Sequence, residues 1–113
     1  MSNDSLDLRA LTELQNIMEE DFILLIETFI SDADDRMNDI LEAVGDWQRL
    51  RRAAHAFKGS SSNIGAIKLA NLCKALEHHA MEVQEDAGVA EQVAQIKEEK
   101  GIVAEALATR FLN

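Results

Sequence analysis

The chain has 113 residues, contains no proline and carries a formal net charge of -10 at pH 7. This length favours a single domain over residues 1–113, large enough to bury a hydrophobic core. Nucleic acids and anionic membranes are bound through basic surfaces, so the acidic excess argues against both as partners. The composition is 47% apolar but only 4% aromatic, and its many alanine, leucine, glutamate and lysine residues favour an all-helical fold.

Targeting and covalent cross-linking signals are missing from the sequence. The start, MSNDSLDLRA, lacks the charged and apolar regions of a signal peptide. No segment approaches the ~18 consecutive apolar residues of a membrane span. With Cys73 as the one cysteine, no internal disulfide is possible, and its place on an apolar stripe predicts a small core residue. We therefore expect a cytoplasmic protein.

Apolar residues recur at helical spacing along the whole chain. A short first helix contains Leu8, Leu11, Leu14 and Ile17. The second helix has a stripe of Phe22, Leu25, Ile26, Phe29, Ala33, Met37, Ile40, Leu41 and Val44. Gly45 ends this helix, and Asp46 is a good N-cap for a third helix that begins near Trp47.

Two further helices follow Gly65. The fourth has a stripe of Leu69, Leu72, Cys73, Leu76, Ala80 and Val83, and residues 86–88 form a turn. The last has a stripe of Val89, Val93, Ile96, Val103, Leu107 and Phe111, weakened locally by Gly101. Long amphipathic helices with short connections predict an antiparallel up-down-up-down four-helix bundle, with the short first helix as a cap.

The segment HAFKGSSSNIG, residues 55–65, is rich in poor helix formers. A nucleotide-binding P-loop would need a second glycine five positions after the first and then a lysine, and neither condition is met. At about 100° per residue, the positions from Leu50 to Ile64 that continue the apolar period stay within one sector of roughly 80°. The third helix is therefore predicted to continue through Gly59 and the serines to about Asn63.

On this helix His55 projects away from the apolar sector, with Arg51 one turn before it and Lys58, Gly59 and Ser62 after it. A neutral imidazole nitrogen is a nucleophile near pH 7, and a nearby lysine balances negative charge on the oxygens of a transferred group. Small neighbours, including Ala56, leave room for another macromolecule. The pattern indicates a docking surface for an incoming phosphoryl group.

These residues, with Leu69, Leu72, Cys73, Leu76 and Glu77 after them, resemble the signature of histidine-containing phosphotransfer (HPt) domains of the free-standing bacterial type. The resemblance implies that His55 accepts a phosphoryl group from a receiver aspartyl phosphate and passes it to another receiver. It further implies that Lys58 is the cation at the phosphoryl oxygens and that Gly59 permits close approach. Glu77 lies where such domains place a polar residue that orients the imidazole.

The same resemblance implies partners, and since no ATP-binding glycine-rich segment is present and 113 residues leave no room for a kinase domain beside the bundle, we expect no kinase activity of the chain itself. The partners would be receiver domains of a hybrid sensor kinase and of a response regulator, with Mg²⁺ held by the receiver and no cofactor on this chain, which would be a monomer. The partner surface would comprise Leu8, Leu11, Arg51, Ala56 and Ser62.

His78 and His79 are adjacent and so point about 100° apart, and no metal site is expected.

Two other interpretations stay open on the sequence. One is a phosphorylation-independent helical adaptor that binds receivers stoichiometrically, although such a protein could have lost His55 or Lys58. The other is a generic four-helix interaction protein, which leaves the glycine and serine run unexplained.

Overall fold

The computed structural model describes residues 5–112 and contains five α-helices in that range. Their bounds are α1 Leu8–Met18, α2 Asp21–Ala43, α3 Trp47–Asn63, α4 Ile67–His78 and α5 Val89–Phe111. A π-helical turn, His79–Val83, continues directly from α4.

Short polar side chains and glycines set the boundaries of these helices. The carboxylates of Asp7 and Asp46 accept hydrogen bonds from the third residue after them, at 3.0 and 3.1 Å, and cap α1 and α3. Gly45, Gly65 and Gly88 adopt φ values of 99°, 75° and 88° in the turns, a backbone conformation that favours glycine. The predicted helix ends at Gly45 and Gly65, the cap at Asp46 and the turn at residues 86–88 are confirmed.

The four long helices form a closed ring around the core. α2 packs on α3, α3 on α4, α4 on α5, and α5 returns to α2. Since connected neighbours are joined by short turns, the bundle is antiparallel, as the sequence predicts. α1 packs against α2 at one end, where the Asp7 amide donates to the Gly65 carbonyl at 2.8 Å. α3 and α5 lie diagonally opposite each other.

Helix α3 runs without a break through Gly59 and the three serines. Leu50, Phe57 and Ile64 are buried, and so is Ser61 between them. The burial of Ser61 confirms that the apolar period passes through the serine run in phase. As a result, the opposite side of the same helix is continuous around His55.

Several apolar positions are less buried than their spacing predicts. Val44 is exposed because α2 ends at Ala43 and Val44 already lies in the turn, and Leu41, in the last turn of α2, is exposed as well. Val83 is also exposed, since the π turn adds a residue per turn and shifts the side chains that follow Ala80 out of phase. The predicted local weakness at Gly101 does not interrupt α5.

The prediction that Leu11 belongs to an exposed partner surface is wrong. Leu11 is fully buried in the core. Leu8 is half-buried and lines a groove with Ile102 and Ala106 of α5. The exposed apolar residue of α1 is Ile17.

None of the helices between residues 5 and 112 combines the length and apolarity needed to cross a lipid bilayer.

Candidate functional site

His55, Lys58 and Glu77 meet where α3 packs against α4. The Nδ1 atom of His55 lies 2.7 Å from Oε2 of Glu77, and the Lys58 ammonium donates to the other carboxylate oxygen, Oε1, also at 2.7 Å. His55 and Lys58 are one helical turn apart on α3, so a single side chain from α4 reaches both. In the sequence, only the family resemblance links Glu77 to His55 and Lys58. The ion pair between Lys58 and Glu77 was not predicted.

Exposure differs strongly among the three side chains. Glu77 is 13% exposed, Lys58 is 29% exposed and His55 is 64% exposed. The carboxylate is therefore enclosed, while the imidazole projects into solvent with its Nδ1 edge turned inward. Nε2, the other ring nitrogen, has no hydrogen-bond partner among residues 5–112.

The electrostatics of the site favour an ionised carboxylate. Burial raises the pKa of the Glu77 carboxyl, but the hydrogen bonds and positive charge of Lys58, with a further contribution from His55, outweigh burial and hold this pKa below its ordinary value. An ionised carboxylate only accepts hydrogen bonds. The Nδ1 atom of His55 must therefore carry the proton that it donates to Glu77.

The surface around the exposed ring includes small residues. Ser62 is exposed and Ala56 is half-buried, both on α3. Gly59 is exposed, and a Cβ atom built on it would meet no heavy atom of a packed neighbour within 4 Å. The packing of this chain therefore gives no reason for a glycine at this position, although a glycine destabilises a helix interior by about 1 kcal/mol relative to alanine.

Helix α3 is the basic element of an acidic protein. It contains Arg49, Arg51, Arg52 and Lys58 and no acidic residue, whereas the outer face of α2 carries a row of aspartates and glutamates. Arg51 is half-buried and makes no ion pair or hydrogen bond through its side chain within the described part of the chain. Among the predicted partner-binding residues, Arg51, Ala56 and Ser62 thus lie on the helix that carries His55, whereas Leu8 and Leu11 do not.

The other two histidines have separate environments. His79, the first residue of the π turn, stacks on Trp47 with ring centroids 5.9 Å apart, and its Nε2–H donates to the Glu85 carbonyl at 2.6 Å. His78 is exposed. No group of three or more metal-ligating side chains is found in residues 5–112. Cys73 is fully buried, as predicted, and burial raises the pKa of its thiol to about 12.

Comparison with known protein families decides which family has this arrangement. A family model described as the Hpt domain matches residues 24–107, which include all of α3 and α4 and therefore the three residues of the site. The chain belongs to the Hpt domain family.

Two relatives extend this assignment over nearly the whole Hpt chain. Histidine-containing phosphotransfer protein 1 of Arabidopsis thaliana is 31% identical over 106 residues, covering 89% of this chain and 68% of the relative. The crystal structure of histidine-containing phosphotransfer protein B from Pseudomonas aeruginosa PAO1 superposes with a TM-score of 0.88 at 38% identity, covering 96% of this chain and 95% of that one. The helical-bundle fold of the Hpt domain is thereby confirmed.

Proposed function

We propose that His55 is the phosphoryl carrier of this Hpt domain, with Nε2 as the atom that is phosphorylated. A phosphotransfer role in a phosphorelay follows from membership of the family. The choice of residue and atom is supported by one observation above all. The imidazole is exposed to solvent while its Nδ1 atom is bound at 2.7 Å to an enclosed carboxylate.

The bond to Glu77 determines which nitrogen reacts. Because the ionised carboxylate accepts a hydrogen bond from Nδ1–H, the neutral ring keeps its free electron pair on Nε2. This pair attacks the phosphorus of a receiver aspartyl phosphate. The Nε2–P bond forms, the P–O bond to the aspartate breaks, and the aspartate leaves as a carboxylate. The Nδ1 proton stays on the ring, where Glu77 stabilises the positive charge that develops.

Lys58 and Gly59 assist this transfer in different ways. The Lys58 ammonium has three N–H donors, so it can hold Glu77 with one and direct another towards the phosphoryl oxygens. Gly59 keeps the approach to Nε2 open, which explains a helix-interior glycine that the chain's own packing does not require. The same reasoning applies to the small side chains of Ala56 and Ser62.

The decisive experiment is phosphorylation of the purified chain by a phosphorylated receiver. We expect an acid-labile, base-stable phosphate on the wild-type chain and none on His55→Gln. The exposed histidine of α4 gives a matched control, since His78→Gln should be labelled like the wild type. Wild-type labelling of His55→Gln would refute the proposal.

The adaptor interpretation is not favoured, because the chain belongs to the Hpt family and has both His55 and Lys58 in the site. Receiver binding by His55→Ala tests it. Unchanged binding together with unchanged signalling would support an adaptor, whereas retained binding with lost signalling would support phosphoryl transfer.

Hpt proteins carry phosphoryl groups between phosphorelay components such as receiver domains. For this chain we propose a receiver of a hybrid sensor kinase and one of a response regulator as the two partners, with Mg²⁺ bound by the receiver. We further propose that the chain has no kinase activity of its own. We also propose a monomeric state, which rests on the family resemblance and which light scattering on the purified chain tests, and a cytoplasmic location, which rests on the sequence pattern.

A further inference from the structure

The charge of the resting site is balanced before any phosphoryl group arrives. Lys58 and Glu77 form a close ion pair of 2.7 Å, so their formal charges cancel. A transferred phosphoryl group brings about 1.5 to 2 negative charges at neutral pH. It would come to rest on a ring that is itself hydrogen-bonded to the Glu77 carboxylate. Even with the positive charge that develops on the ring, Lys58 alone leaves the phosphorylated site with a net negative charge, which a second cation would reduce.

Arg51 occupies the position from which such a cation can act. It lies one helical turn before His55 on the same side of α3, where residues four apart are neighbours. Its side chain lines a groove of about 350 Å³ between α3 and the π turn, together with Trp47 and Met81. Glu82 also lines this groove, yet no ion pair joins it to Arg51. A guanidinium without a partner can swing over the exposed ring when a phosphoryl group arrives.

Two other cations are available for comparison. Arg52 is exposed and lines a different groove, facing Asp39 and Ala43 of α2. Lys74 is exposed on α4, one turn before Glu77. Arg51 is favoured over Arg52 because it is half-buried and lies one turn from His55 on the same side of α3. It is favoured over Lys74 because a planar guanidinium donates two parallel hydrogen bonds to phosphoryl oxygens where an ammonium acts as a point charge.

We propose that Arg51 is a phosphoryl-binding residue of this Hpt domain, which donates hydrogen bonds to the oxygens of the group on Nε2 of His55 during transfer and in the phosphorylated state. This role rests on the proposed function of His55. In this proposal Arg51 offsets the part of the phosphoryl group's negative charge that Lys58, paired with Glu77, leaves uncompensated.

The test uses the full chain and phosphoramidate as the phosphoryl donor, which avoids the need for an identified receiver. The P–N bond of phosphoramidate breaks, ammonia leaves, and the bond from phosphorus to Nε2 forms. Removing a hydrogen bond to a charged group corresponds to about a tenfold slower reaction or more, so Arg51→Gln should be phosphorylated about tenfold more slowly than the wild type. Arg51→Lys should recover part of the rate, and Arg52→Gln should stay within about twofold of the wild type.

A second readout separates phosphoryl binding from a structural role of Arg51. In the phosphorylated chain, the pH at which the ³¹P resonance titrates should rise by about 0.5 to 1 unit in Arg51→Gln, because a nearby cation favours the dianion. Arg52→Gln should not change it. If Arg51→Gln has a lower Tm than the wild type, Arg51→Met, which retains an apolar stem in the groove, provides a second uncharged variant.

The outcomes distinguish this proposal from the one it rests on. Arg51→Gln that matches Arg52→Gln in both rate and ³¹P titration would overturn the role of Arg51 while leaving that of His55 intact. The same conclusion follows if Lys74→Gln shows the slower rate and the shifted titration instead. Wild-type labelling of His55→Gln would overturn both proposals.

Discussion

Replacing Glu77 by glutamine removes the charge that Lys58 and His55 share, and its effect on stability can be worked out from the site. Each carboxylate oxygen receives one donor at 2.7 Å. A hydrogen bond to a charged group contributes about 1.5 to 3 kcal/mol, but His55 is largely exposed and water screens such pairs to below about 1 kcal/mol. We expect Glu77→Gln to lower the free energy of unfolding at pH 7 by about 1 to 2 kcal/mol, and Tm by about 4 to 10 °C.

This loss should depend on pH in a direction fixed by the pKa of Glu77. In the folded chain this pKa lies below its ordinary value of 4.5. The resulting stabilisation is fully present above about pH 4.5, where the carboxyl group of the unfolded chain is also ionised. It is lost as the pH falls through the lower pKa of the folded state. The wild type and Glu77→Gln should therefore differ at pH 7 and converge towards pH 3.

Urea unfolding followed by circular dichroism at pH 7, 5 and 3 measures this difference. Glu42→Gln, at an exposed position of α2, is the matched control and should show little effect at any of these pH values. A difference between the wild type and Glu77→Gln that stays constant from pH 7 to pH 3 would refute the role of the ionised carboxylate.

Three further predictions concern other positions. Since a Cβ atom meets no packed neighbour at Gly59 or Gly101, alanine at either should raise the free energy of unfolding by about 0.5 to 1 kcal/mol in urea. Only Gly59→Ala should slow phosphoryl transfer from a receiver, and an unchanged transfer rate would contradict its role in access. Burial raises the pKa of the Cys73 thiol to about 12. At pH 8, iodoacetamide should therefore label Cys73 at least about a hundredfold more slowly in the native chain than in urea. Equal labelling rates would contradict the burial of Cys73. Glu99 is buried, with Oε2 unpartnered in the described chain and Oε1 4.0 Å from the Lys68 ammonium. Because a poorly paired buried charge is costly, Glu99→Met should raise the free energy of unfolding by about 1 to 3 kcal/mol. A lower Tm of this variant would contradict the prediction.

The path of α3 could be predicted because helical phase depends only on spacing within one segment. Leu50, Phe57 and Ile64 kept that phase across Gly59, so the helix and the outward direction of His55 both followed. The same reasoning failed for Leu11. A short apolar helix has one stripe, and spacing alone does not say whether the stripe faces the core or a partner.

Other features depend on contacts between helices, which a single sequence does not specify. Lys58 is close to His55 along the chain, but its partner Glu77 belongs to another helix. Glu99 lies on the same side of α5 as Ile96 and Val103. Its burial was not predicted, because only apolar residues were used to define the buried side. The residue types at positions 79–83 do not predict the π turn. Its first residue, His79, stacks on Trp47 of another helix.

The uneven charge of the helices has a consequence for how this molecule meets another. With cations along α3 and a row of carboxylates on the neighbouring α2, these two sides of the bundle differ in charge. Electrostatic attraction would favour encounters in which the acidic surface of another protein meets α3, and repulsion would disfavour encounters on the α2 side. Dissolved salt weakens such orientation over distances of about 8 to 10 Å, so ionic strength should change how often collisions are productive without altering the chemistry at His55.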